Sequence, residues 1–195
     1  ETAIYVPWVA GCVSLLIPTF RKQPLALISA CTASILLLFI VEVTGLNQSL
    51  DQVQAVLDSQ YWLTIHVLLV VGSYGVFILS SILGHLYLAL SLRKQHDKAS
   101  MPLLSHLILQ TLYGGTALLI TGTILGGIWA AESWGRFWDW DPKESWAFIS
   151  ACVYVLFIHA YTFRRIADFG LAVGAVAGLA AISFTWYGVN YILGT

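Results

Sequence analysis

Six runs of apolar residues, 4–18, 25–45, 61–92, 103–131, 142–164 and 169–193, divide the chain, with only short polar stretches between them. The last five reach the roughly 20 residues that a helix needs to cross hydrocarbon; the first is short. A soluble domain needs about 25% charged residues to cover its surface, and here 10% are charged and 58% hydrophobic over 195 residues. The pattern therefore predicts an all-α fold: a polytopic transmembrane bundle of about six membrane helices in one membrane domain.

A net charge of −1 and the absence of a basic stretch argue against nucleic acid and against a polybasic surface anchor. Cys12, Cys31 and Cys152 stand singly in apolar runs, without the C-x-x-C pairing of a redox or thiolate metal site, and are read as packing residues. The chain opens on Glu1 with no basic leader or small-residue cleavage pattern, so 4–18 is read as a membrane segment rather than a signal peptide. Residue 1 is not expected to be the gene's start.

Of the nine Lys and Arg residues, Arg21, Lys22, Arg93, Lys94, Lys98, Arg164 and Arg165 fall on one side of the alternating connections. The positive-inside rule makes that side cytoplasmic. Positions 47–60 and 132–141 are then expected outside, and 93–101 and 164–168 inside. The two exceptions, Arg136 and Lys143, both sit in one Trp-rich outer segment. The third run, about 48 Å long as a helix, should protrude beyond the bilayer. In the last run Gly170, Gly174 and Gly178 recur at helical spacing, a pattern for close helix packing.

Residues 134–146 read W-G-R-F-W-D-W-D-P-K-E-S-W, which places Trp134, Trp138, Trp140 and Trp146, half of the eight tryptophans, in thirteen positions. An interfacial aromatic belt uses indoles at the headgroup level, but it needs no charges among them. Here Arg136, Asp139, Asp141, Lys143 and Glu144 are interleaved with the rings, which suits a flat apolar ligand carrying polar groups. Haem is such a ligand: its macrocycle packs on aromatic faces and its propionates take charge-assisted hydrogen bonds, for which Arg136 and Lys143 are the candidates. For Asp141 and Glu144 an architectural role outweighs ligand contact, because Asp141 is a good N-cap, Pro142 suits the first helical position and Glu144 completes a capping box.

This segment resembles the WWD signature of the CcsA/ResC family, the integral membrane partner in System II cytochrome c maturation. Trp62-Leu63-x-Ile65-His66, His159-Ala160-Tyr161 and the closing Trp186-Tyr187-Gly188-Val189-Asn190-Tyr191 extend the likeness over about 130 residues from Tyr61 onward; the first two runs match only in general hydrophobicity. On this reading 1–45 holds N-terminal membrane helices, 46–60 an external loop, and 61–195 a haem-handling membrane domain with its WWD segment at 132–146.

His66 falls about 9 Å into the third helix from its outer end, where a neutral imidazole is a competent iron ligand. An isolated histidine there is more often solvated or packed, and it is the resemblance that implies an axial ligand of an external haem. For His159, near the inner edge of the fifth helix, the resemblance implies an axial ligand of a second, inner haem site. His85 and His106 match no family ligand and are read as structural, and His96 as solvated. Trp134, Arg136, Trp138, Trp140, Asp141, Lys143 and Trp146 complete the candidate haem-binding set.

What the resemblance implies is a chain that takes up haem b, moves it outward and presents it for thioether attachment to an apocytochrome c bearing C-x-x-C-H. A CcsB/ResB-type membrane protein would complete the translocation path, in a bacterial cytoplasmic or a thylakoid membrane. No residue looks like a nucleophile, so positioning is expected to do the catalysis. The alternative is a secondary transporter or channel subunit for another small ligand, which predicts broken helices and paired charges at mid-membrane; Glu42 is the one acidic residue inside an early run. Because the outer side offers only His66, the resemblance further implies that the polypeptide continues past Thr195 into a second external histidine and another helix.

Overall fold

The structure, a computed structural model, describes residues 5–9, 11–12, 27–28, 31–32, 34–35, 38–39, 60–93 and 100–193. It is an all-α membrane protein, with four helices long and apolar enough to cross a bilayer among the described residues. They are α1 (Gln60–Leu92), α2 (Ser100–Trp134), α3 (Pro142–Thr162) and α4 (Asp168–Ser183), the last continued by a π turn (Phe184–Gly188) and a closing helical turn (Val189–Tyr191). Of the first two apolar runs, the described residues are helical, and Val6 is fully buried, its carbonyl 2.9 Å from where a Cβ on Gly75 would stand. Positions 47–59 and 94–99 lie outside the described residues.

Local chemistry fixes the helix ends. Helix α2 stops where Gly135 takes φ 75°, a left-handed conformation that costs glycine nothing, and its N–H donates to the Ala131 carbonyl at 3.0 Å. Helix α3 starts on Asp141, whose carboxylate accepts from the Glu144 N–H at 2.8 Å, with Pro142 in the first turn. Glu144 reaches past the cap residue to accept from the Asp139 N–H at 2.8 Å, so both carboxylates of the expected capping box hold the loop to the helix. At the opposite end Tyr161 donates to Asp168 Oδ1 at 2.8 Å and ties α3 to α4.

The helices run up and down. Absent side chains set their spacing. A Cβ on Gly115 would stand 2.7 Å from the Phe77 ring, and one on Gly122 2.7 Å from Val70, so α1 and α2 approach closely through bare positions. The Gly-rich stripe of α4 does the same for α3: Gly174 faces Phe157 and Gly178 faces Tyr154. At mid-depth these contacts line up, because Phe77 and Tyr154, both fully buried, stack with centroids 3.7 Å apart and planes at 1°. Gly115, Phe77, Tyr154 and Gly178 thus form one layer through all four helices. Each fully buried ring of this kind stabilises by roughly 1.5–3 kcal/mol relative to a water-exposed ring; against lipid the gain comes from packing, since hydrocarbon itself is apolar.

Candidate functional site

The start of α1, the end of α2, the start of α3 and the π turn converge at the Trp-rich end around a cavity of about 440 Å³. Its volume lies in the usual range for a small-molecule site. Of the residues singled out from sequence, His66, Trp134, Trp138, Asp141 and Lys143 line it. Tyr74, Thr123, Gly126, Trp129, Glu144 and Trp186 also line it, with valine and alanine side chains between them.

His66 is held by the neighbouring helix. Its Nδ1 lies 2.7 Å from the Gly122 carbonyl, and a carbonyl can only accept, so Nδ1 carries a proton and in the neutral ring the lone pair is on Nε2. Among the described residues no second imidazole lines the cavity, and no group of three or more His, Cys, Asp or Glu gathers to enclose a metal ion. Aromatic faces make up much of the wall. Trp129 and Trp134 meet edge to face at 4.7 Å, and Tyr74 and Trp186 lie 5.6 Å apart at 35°. The indole N–H groups of Trp129 and Trp138 are buried with no hydrogen-bond partner among the described residues. Lys143 is exposed at the rim and makes no ion pair among those residues.

Other candidates stand away from the cavity wall. Arg136 pairs with Asp139 at 2.6 Å on the exposed loop surface. Trp140, 70% exposed, adopts φ 58° and meets Trp138 and Phe148 edge-on at 5.8 and 6.4 Å; the left-handed backbone that a bulky residue rarely adopts turns its ring outward. Trp146 packs on Phe184 at 4.2 Å, joining α3 to the π turn. His159 is exposed on α3, its Nδ1 2.8 Å from the Val155 carbonyl one turn back. His85 makes the same bond to Ser81 at 2.8 Å.

The π turn is the element that sequence reasoning missed. Thr185 Oγ1 lies 2.8 Å from Ser150 Oγ, 2.9 Å from the Ala181 carbonyl and 3.1 Å from the Trp146 carbonyl. With one hydrogen to donate, it accepts from Ser150 and serves the two carbonyls. This knot anchors the widened turn on α3, and the widened turn carries Trp186 to the cavity wall. Insertions of this kind concentrate at functional sites.

Known proteins repeat this chain almost end to end. All of it, residues 1–195, matches the family described as cytochrome C assembly protein. The chain belongs to that family. It is 35% identical over 198 residues to Protein NrfI of Wolinella succinogenes, covering 99% of this chain and 22% of that protein. It is 30% identical over 221 residues to the cytochrome c biogenesis protein CcsA of Guillardia theta, covering 98% of this chain and 72% of the relative. CcsA of Prochlorococcus marinus is 30% identical over 228 residues, covering 98% and 71%. The chain thus spans about a fifth of NrfI and under three quarters of the CcsA relatives. No solved structure matches it.

Proposed function

We propose that this chain acts in cytochrome c maturation by holding haem b, as substrate, in the cavity at the Trp-rich end, with His66 Nε2 on the iron. One observation carries the reading: a single imidazole whose Nδ1 proton is committed to Gly122 stands on a cavity wall that also carries four indoles, the Tyr74 phenol, aliphatic side chains and the cation of Lys143. One imidazole is a poor cage for a bare metal ion. It suits an iron whose equatorial positions a porphyrin already fills. Trp134 and Trp138 offer aromatic surface to the macrocycle, Lys143 offers a cation to a propionate, and the unpartnered Trp129 and Trp138 N–H groups offer donors to its oxygens. Arg136, Trp140 and Trp146 act from behind, shaping the loop and the start of α3, and Asp141, on the wall itself, caps that helix.

In attachment, each cysteine thiol of a C-x-x-C-H apocytochrome adds across one haem vinyl group. One S–C bond forms, one C=C π bond is lost and the thiol hydrogen goes to the terminal carbon, so no oxidant or reductant is consumed. The residues of this chain serve by orientation, since fixing iron and propionates fixes where the vinyls stand. His159, on the outward face of α3, is the proposed ligand of a second haem on the way in, completed by a CcsB/ResB-type partner. The Lys and Arg asymmetry supports a Trp-rich loop on the periplasmic, extracellular or lumenal side. A pyridine haemochrome assay on the purified polypeptide tests the reading: haem co-purifies with the unaltered protein and falls sharply in His66→Ala, and unchanged haem content in that variant refutes it.

A further inference from the structure

Residues 122 and 126 are glycines within a long apolar helix, and in the structure they form the seat of the His66 ring. A Cβ on Gly126 would stand 2.6 Å from both Cε1 and Nδ1 of His66, and 3.3 Å from its Cγ. No real Cβ approaches a ring so closely, so the imidazole edge occupies the space that any other residue at 126 would fill. One turn along, Gly122 has no side chain to keep α1 away: a Cβ there would stand 2.7 Å from Val70 Cγ2 and 3.0 Å from the Val70 N. That closeness brings Nδ1 within 2.7 Å of the Gly122 carbonyl.

We infer that Gly126 and Gly122 are positioning residues for the iron ligand: Gly126 fixes where the His66 ring lies, and Gly122, through its carbonyl, holds the Nδ1–H so that Nε2 is the nitrogen left to face the cavity. The inference rests on the proposed ligand role of His66 and adds the device that makes that histidine a ligand. Partners that orient a metal-binding imidazole are worth about 10- to 100-fold in affinity. Here the partner is backbone, and the tolerance for a side chain is nil. A purely structural glycine would serve helix packing whatever residue stood at 66; a seat serves only an imidazole.

The test uses the full natural polypeptide in detergent, with haem b and free imidazole as probes. Replacing the ring by His66→Gly should lower haem retention, and millimolar imidazole should restore it together with the absorption spectrum of the unaltered protein, by occupying the vacated seat. Adding Gly126→Ala to that variant should cut the restoration by about tenfold or more. Adding Gly115→Ala, which crowds the same α1–α2 seam against Phe77 but lies well below His66, should leave restoration intact. Melting of the apoprotein gives a readout free of haem: Gly126→Ala should lower Tm when His66 is present and far less in the His66→Gly background, where the double variant also folds if the single one does not. Undiminished rescue with Ala at 126, or an equal Tm loss with and without His66, overturns the inference and leaves His66 as ligand. Unchanged haem retention in His66→Gly overturns the ligand reading itself, and the seat with it.

Discussion

His66 and His159 both donate Nδ1–H to a backbone carbonyl, at 2.7 and 2.8 Å, but the carbonyl belongs to a neighbouring helix for the first and to the same helix, one turn back, for the second. The bond of His159 is available to any histidine in any helix, and His85 makes it too. The bond of His66 exists only once α1 has closed on α2 through bare positions. Its tautomer is therefore a product of the tertiary fold, and the cavity beside it is enclosed by four elements. His159 stands on an outward face of α3, with Phe163 6.0 Å away as its ring neighbour. The Trp-rich end holds a cavity walled by this chain's own helices, whereas at the other end His159 stands exposed on α3.

The contrast between the ends breaks outright if they are not on opposite sides of the membrane. In a background lacking Cys12, Cys31 and Cys152, Glu132→Cys and Ala167→Cys place exposed thiols at the two ends. An impermeant maleimide should label them from opposite faces of sealed vesicles, all or none.

Next in size is the layer that separates the ends. Gly178→Ala drives a methyl into the Tyr154 ring and should cost about 1–3 kcal/mol in unfolding experiments, as overpacking does. Gly114→Ala, with open space around it, should stay within about 0.5 kcal/mol. Equal effects would deny that α3 and α4 meet through that layer.

Within the Trp-rich end, cavity and rim should separate. Trp138→Ala should weaken haem retention by about 0.5–1.5 kcal/mol beyond its area contribution, while Trp140→Ala, whose ring faces out, should change retention by less. Reversed effects in a haem titration would exchange their roles. The smallest effect is expected from Asp141→Ala, about 1 kcal/mol from the lost N-cap. Hydrogen exchange should quicken at the Glu144 amide and not around Asp168; exchange that rises equally at both would show the cap to be global rather than local.

Much of this was legible before any coordinate. The helices α1 to α4 answer to the last four apolar runs, because lipid enforces both composition and length. Caps are decided within a few residues, so Asp141, Pro142 and Glu144 announced the start of α3, although Glu144 bonds Asp139 rather than the cap residue. The tryptophan cluster lies at the end of the bundle that holds the cavity. What sequence did not reveal depends on two distant segments meeting. Trp129 and Tyr74 line the cavity from helices whose apolar faces look uniform in one dimension. The π turn arises because Thr185 finds Ser150 and the Trp146 carbonyl on another helix, and nothing in 184–188 read alone asks for the extra residue. The adjacent glycines Gly126 and Gly127 were the one available hint, since glycine inside a helical run often marks a close approach.

The layer formed by Gly115, Phe77, Tyr154 and Gly178 has an electrical meaning as well as a mechanical one. A membrane that stores an ion gradient discharges through any continuous file of water. Two parallel rings at van der Waals distance, each backed by a bare glycine, leave no width for a water molecule between them. A file of water cannot pass between the two rings, so along that seam the cavity at the Trp-rich end is closed off from the far end of the bundle.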